Sequence, residues 1–381
     1  MSANLIRAIL VIFGALGLSA ADRGSEPIVV DVPGSKNADI YILNNHDEGV
    51  GTSYSTASEF QVFYWSLSTG AKILGTHTHR TGSQAPKINE SGMVALSAGV
   101  GGWEHAFRWS LKEGFLDLGN LGGDPQGSYG GDAWTNAINN RGEVVGYSPT
   151  HEGVNHAFIW RSDFGMKDLG TLGGWQSWAL NINDRSQVVG VSMLSNGLSH
   201  GFVWSERSGM RDLGVPAGFE YSQSLKINTQ GEVVGTVSQG PYTTFAFYFS
   251  EQDGMTVLNP PGSSGSYPEG LNDRGEVLVN TWFGTIYRAF LWTKKSGYID
   301  LGTLGGLYSY GSSLNRQGEV VGGSSTSVDL GGTGFVWSQR DGMRSIELGG
   351  MVGSANFVND KGDIAGYVEA ATGQKPFVKL R

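Results

Sequence analysis

Two glutamates, Glu220 and Glu269, stand outside the phrases that recur along this chain, and a hydrolase or lyase would rest on them first. Glycosidic cleavage needs a pair of carboxyl groups roughly 5 to 9.5 Å apart, one protonating the leaving oxygen and the other serving as nucleophile or base. Glu104, Asp124, Asp132 and Glu152 are acids of the same standing, but Glu220 and Glu269 fall in what read as equivalent connections of adjacent units. In Thr76-His-Thr-His-Arg80, His77 and His79 face one way if the segment is extended, so they could share a metal, although no third ligand is evident and a solvated loop is the plainer reading. No Gly-x-Ser-x-Gly elbow, phosphate loop or His-Glu-x-x-His helix occurs, and Gly99-Val-Gly-Gly102 is only a glycine-rich turn. With no Cys there is no disulfide, thiol nucleophile or Cys-bound metal, and no cofactor or metal is expected.

Aromatic rings offer a different chemistry. Trp134, Trp178, Tyr267 and Tyr310 each lie five residues before a recurring Asn, and Tyr129, Trp175, Phe219, Tyr221 and Tyr308 are close by. Brought together, these rings would present flat apolar faces with polar edges, suited to sugar rings or a peptide loop. The competing reading is that they only pack the tops of the units.

What must position them is a repeat. The phrase seen best as Ile138-Asn-Asn-Arg-Gly-Glu-Val-Val-Gly146 recurs eight times, with its Asn at 44, 89, 139, 183, 228, 272, 315 and 359. The spacings are 45, 50, 44, 45, 44, 43 and 44 residues, and the long one contains the insertion 124–132, either a functional loop or a tolerated one. A second phrase ends in an aromatic, as in His105-Ala-Phe-Arg-Trp109 and His156-Ala-Phe-Ile-Trp160, and fades to Pro376-Phe-Val378 in the last unit. A third reads Asp-Leu-Gly, as at Asp168-Leu-Gly170.

Physically the first phrase is a β-hairpin. The Asn side chain bonds backbone two residues on, and the Gly three residues later takes the positive φ of a type I turn with a G1 bulge. Six units have that Gly; Asp47 and Ser186 replace it, and Ser186 is expected to be mildly strained. Val-Val-Gly is then a second strand, the His-Ala-Phe phrase a third and the Asp-Leu-Gly phrase a fourth. Four short strands in about 44 residues match the blade of a β-propeller. The fold class expected is therefore all-β, a propeller of eight four-stranded blades, with seven if the divergent first or last unit forms none. Ile28 to Val32 reads as a stray fourth strand that pairs with the C-terminal strand and closes the ring.

Together the three phrases resemble the extracellular HAF-repeat proteins, named for the His-Ala-Phe triplet present here at His105 and His156. The resemblance covers nearly the whole chain after the leader and implies an exported repeat protein; it passes on no catalytic residues. Three units carry the His, which reads as a structural residue hydrogen-bonded between blades.

Residues 1–21 have one Arg, an apolar run from Ala8 to Leu18 and small residues at Ser19, Ala20 and Ala21, the form of a signal peptide cut near Ala20 or Ala21. Residues 22–381 are then one secreted domain, extracellular or periplasmic. A net charge of −9 without a basic stripe argues against nucleic acid, and nothing beyond the leader is apolar enough to cross a membrane. The function expected is a monomeric, non-catalytic binding module for a glycan or a surface protein, through Trp134, Trp175, Trp178, Tyr221, Tyr267, Tyr308 and Tyr310. The alternatives are a propeller hydrolase or lyase using Glu220 and Glu269, and a structural cell-surface protein.

Overall fold

The computed structural model describes residues 26–56, 59–77, 85–123, 131–240, 243–327, 332–371 and 373–381. The leader, His79, Tyr129, Asp124, most of the 124–132 insertion and the side chain of His77 lie outside the described residues.

The repeat phrases pair as their turn chemistry dictates, giving eight four-stranded antiparallel sheets. Counting from the first turn Asn, blade 1 runs from Asn37–Leu43 to Gly70–His77, blade 2 from Lys87–Ile88 to Gly114–Asp117, and blade 3 from Trp134–Ile138 to Gly165–Asp168. Blade 4 runs from Gly173–Ile182 to Gly209–Asp212, blade 5 from Tyr221–Ile227 to Gly254–Leu258, blade 6 from Gly265–Leu271 to Gly297–Asp300, and blade 7 from Gly305–Leu314 to Gly342–Ser345. First strands of neighbouring blades lie against one another around a common axis, that of blade 8 meeting that of blade 1. The protein is an eight-bladed β-propeller.

Blade 8 takes Gly353–Val358, Ile364–Ala370 and Gly373–Lys379 from the end of the chain and its fourth strand, Ile28–Val29, from the beginning. Ile28 pairs with Val378 and Val29 with Phe377, and the Val30 N–H extends the ladder to the Pro376 carbonyl. Val30 and Val32 are buried with Val378 and with Trp65 of blade 1, so closure joins a hydrogen-bonded edge to an apolar core.

Each turn Asn satisfies its own hairpin and also ties it to the next blade. In blade 3, Asn139 Oδ1 accepts the N–H groups of Arg141 and Glu143, both at 3.0 Å. Its Nδ2 donates to the Glu143 carboxylate and to the carbonyl of Asn183 in blade 4, at 3.1 Å. The same Asn-to-Asn bond recurs at every seam, closing from Asn359 to Asn44. All eight of these Asn are buried, so an unsatisfied amide here would cost roughly 1–3 kcal/mol. This accounts for the Asn and the Glu of the phrase.

Asp47 and Ser186, the two expected exceptions at the turn Gly, are the non-glycine residues with positive φ among the described residues, at 63° and 57°. Each offsets its backbone strain with a bond across a seam. Lys361 of blade 8 donates to Asp47 at 2.5 Å, and Ser186 Oγ donates to Glu143 of blade 3.

The third-strand aromatics plug the seams. Trp109, Trp160, Trp204, Phe249, Trp292 and Trp337 each enter the core of the preceding blade, and Trp65 enters that of blade 8. Burying such a side chain contributes about 1.5–3 kcal/mol.

The His of the His-Ala-Phe phrase corrects one expectation, because it bonds within its own blade and not between blades. Nδ1 of His105, His156 and His200 meets Asp117, Asp168 and Asp212 at 2.8, 2.8 and 2.9 Å, joining third strand to fourth, and Arg288 meets Asp300 likewise at 2.8 Å. Oδ1 of each Asp accepts the N–H of the Gly two residues on, and in Asp212 it also lies 3.0 Å from His200 Nδ1, so one carboxylate ends the strand and anchors the base. Where Gln61, Phe245 or Thr333 replaces the base, the fourth-strand positions equivalent to the Asp, opposite Phe63, Phe247 and Phe335, are Ile73, Val257 and Ser345. Burial alone would raise the Asp168 carboxyl, but the bonds from His156 and Gly170 hold it below its ordinary range.

Candidate functional site

The two mouths of the channel differ. At the hairpin end a depression of about 320 Å³ is lined by the turn Asn and the residues that follow them. Its polar groups are engaged between blades: the Glu90 N–H donates to Asn140, Asn140 to Asp184, Arg316 to Asp360 and Asp360 to Asn45, at 2.8 to 3.0 Å. That end is a fastening.

The opposite mouth is formed where each first strand begins, and the position five residues before the turn Asn lies towards that end. Its carbonyl presses on the second-strand Gly of the Val-Val-Gly phrase. A Cβ on Gly190 would sit 1.9 Å from the Trp178 oxygen, and one on Gly322 would sit 2.0 Å from that of Tyr310. No larger residue fits at those two glycines, whereas blade 6 carries Val279 at the same place beside Tyr267, and in each of these blades the chain bulges immediately after the contact. The register brings Asp39, Trp134, Trp178, Gln223, Tyr267, Tyr310 and Ser354 to this position.

Of the rings named from the sequence, Trp175 is 55% exposed, Tyr310 43%, Tyr267 39% and Tyr221 36%, all on first strands. Trp178 and Tyr308 are half-buried on the same strands. Trp134 is half-buried too and stacks on Tyr147 of its own blade, with centroids 4.9 Å apart. Phe219 does not join the mouth; it packs edge-on against Phe245, 5.8 Å away, beside the blade 4–5 core. Leu307, 64% exposed one residue before Tyr308, adds apolar surface that the sequence reading passed over.

The acidic pair is also corrected. Glu269 lies inside the first strand of blade 6, three residues before Asn272, whereas Glu220 precedes the first strand of blade 5 by one residue, eight before Asn228. Their positions are not equivalent. Tyr310 of blade 7 donates its hydroxyl to Glu269 at 2.8 Å. Burial, then the Glu269 charge, pushes the Tyr310 and Tyr267 phenols above their ordinary value. Beneath them, buried Asn280 of blade 6 clasps the Gly311 backbone of blade 7 at both N–H and carbonyl, at 2.9 and 2.8 Å, fixing the two strands that carry these rings.

Asp39 was missed, although it occupies the ring position of blade 1. Asn356 of blade 8 donates to it at 2.6 Å. Burial pushes its carboxyl up to about 7, outweighing the bonds from Asn356 and the Ile40 N–H. The mouth therefore combines exposed rings, a carboxylate held by a phenol, and a carboxyl that keeps its proton close to neutrality. Among the described residues no group of three or more His, Asp or Glu is arranged to hold a metal, and no helix is long and apolar enough to cross a membrane.

No protein-family model and no curated protein matches the sequence. Among solved structures, the chain is similar to a dipeptidyl peptidase 4 from Porphyromonas gingivalis, at 10% identity and a TM-score of 0.56, over 91% of this chain and 59% of that one. It is also similar to TolB from Acinetobacter baumannii, at 12% identity and 0.41, over 79% and 61%. The β-propeller domain of the Trilobed protease from Pyrococcus furiosus aligns at 10% identity and 0.45, over 94% and 95%. This chain spans about six-tenths of the length of the first two. Likeness at such identity concerns the fold alone.

Proposed function

We propose that the protein is an exported, non-catalytic binding module of the HAF-repeat kind that takes a glycan against its ring-bearing mouth. The observation that carries this reading is the exposure of Trp175, Tyr221, Tyr267 and Tyr310 on first strands around one channel end. Large aromatic side chains left in solvent on one face are a usual mark of a ligand surface. Glu269 beside Tyr310 adds an acceptor for sugar hydroxyls at the edge of the platform. A monomer with the leader removed is the form in which this mouth acts.

The test is a glycan array probed with the protein, then with Trp175→Ala and Tyr310→Ala. Retention is expected to fall roughly tenfold or more per ring, about 1.4 kcal/mol, with the thermal midpoint nearly unchanged. Lost stability with unchanged retention would overturn the reading.

The second reading, a hydrolase or lyase, keeps the pair drawn from the sequence, Glu220 and Glu269. Turnover of an array glycan that vanishes in Glu220→Gln and in Glu269→Gln would favour it.

A further inference from the structure

We propose that the seam between blades 7 and 8 is a binding site for a free planar aromatic molecule of indole size, seated where every other seam holds an aromatic side chain of the protein itself. This inference concerns the outer wall of the ring and is independent of the mouth.

The register identifies the place. In blade 4 Trp204 pairs with Val188, and the same pairing in blade 8 joins Ile364 to Lys379. Lys379 thus occupies the slot of the seam aromatic, and the apolar cluster of blades 7 and 8 contains no residue from it. A cavity of about 480 Å³ opens there, floored by Val336, Ile346, Ile364 and Leu380, and this volume is within the usual range for small-molecule sites.

The opposing wall is already shaped for a ring. On the fourth strand, Lys167 pairs with Ile159 and Arg211 with Val203, and their cationic groups lie 5.4 and 5.9 Å from the rings of Trp204 and Phe249 in the next blade. Lys72, at the same position of blade 1, lies 5.4 Å from Trp109. Blade 7 repeats the arrangement with Arg344, paired with Val336, but the next blade presents no ring to it. A guanidinium over an aromatic face is attractive, the more so when desolvated. The rim carries Glu319, Glu347 and Arg381, with Arg381 bonded to Glu319, so apolar surface does not continue outward as a peptide groove would. A single ring fits this site better than a chain.

Indole is the probe, titrated calorimetrically into the whole protein, Arg344→Ala, Lys379→Trp and Tyr310→Ala. Binding with a Kd of about 1 mM or tighter is expected for the protein and for Tyr310→Ala. Affinity should fall at least fivefold in Arg344→Ala. Lys379→Trp, which supplies the missing ring, should abolish binding and raise the thermal midpoint by about 2 °C or more. No binding to the unaltered protein, undiminished binding in Arg344→Ala, or a lowered midpoint in Lys379→Trp would each overturn the proposal. Loss of glycan retention at the mouth would leave it standing.

Discussion

Asn359 donates its side-chain amide to the backbone carbonyl of Asn44, 3.1 Å away and 315 residues earlier in the chain, completing a circuit of eight such bonds. Its Oδ1 also accepts the Lys361 and Asp363 N–H groups. Asn359→Ala should destabilise the fold by about 2–3 kcal/mol, read from the urea midpoint, because three backbone groups, two of them in buried bonds, lose their partner. Asn359→Asp should be worse at pH 7, where a carboxylate would face buried Asp363, and should recover towards pH 4. An Ala variant as stable as the parent would mean that water replaces the circuit.

Asp39 makes stability fall as pH rises. Its carboxyl holds its proton to about 7 in the fold against 3.8 ordinarily, so between these values the folded chain binds more protons than the unfolded one. Stability is therefore undiminished below about pH 4 and is lost as pH rises through 7. Asp39→Asn should be nearly neutral at pH 4 and more stable than the parent at pH 8, by on the order of 2 kcal/mol. Equal effects at both pH values would contradict the placement of this group.

The His156–Asp168 pair should couple only weakly, being partly exposed. A double-mutant cycle with His156→Ala and Asp168→Asn is expected to give about 0.5–1 kcal/mol at pH 6. Since the Asp168 carboxyl is held below its ordinary value, this contribution is present above 3.8 and fades as pH falls through the lowered value. The same cycle on Phe245 and Val257, the corresponding positions of blade 5, should show no such pH dependence.

Val30 tests the ring closure. It is buried at the junction of the two chain ends, and its N–H bonds Pro376. Val30→Asp should cost about 3 kcal/mol or more and increase binding of a hydrophobic dye, as the Phe377–Val378 edge loosens. Val29→Asp, on the exposed side of the same strand, should cost under about 1 kcal/mol.

Much of this architecture was legible because eight copies of one phrase let each position be read against seven others. The turn Asn, the left-handed slots at Asp47 and Ser186, and the pairing of Ile28 with the C-terminal strand followed from local turn chemistry and from an incomplete last unit. Sequence alone hid whatever depends on which strands sit face to face. Twelve residues separate His105, His156 and His200 from their Asp partners, and only strand register, which the sequence does not print, brings each pair together within one blade. Glu220 and Glu269 looked equivalent when measured from the preceding unit; measured from the following Asn they are not. Asp39 shares the offset of the rings, but no local signal in the sequence marks the burial that raises its carboxyl, which depends on blade 8 packing against blade 1.

Sealing blade 8 with residues 28–29 also sets an order of events during synthesis. The segment that completes the last sheet is made before every other strand of the ring and must wait for its partner at 377–378 until the other seven blades have been made. Any product that stops short of those residues is an open arc with a bare strand at one end and an orphan segment at the other, a form that invites association and proteolysis. The seam thus acts as a check on the ring, since a closed circle can be assembled only from a product carrying both 28–29 and 377–378.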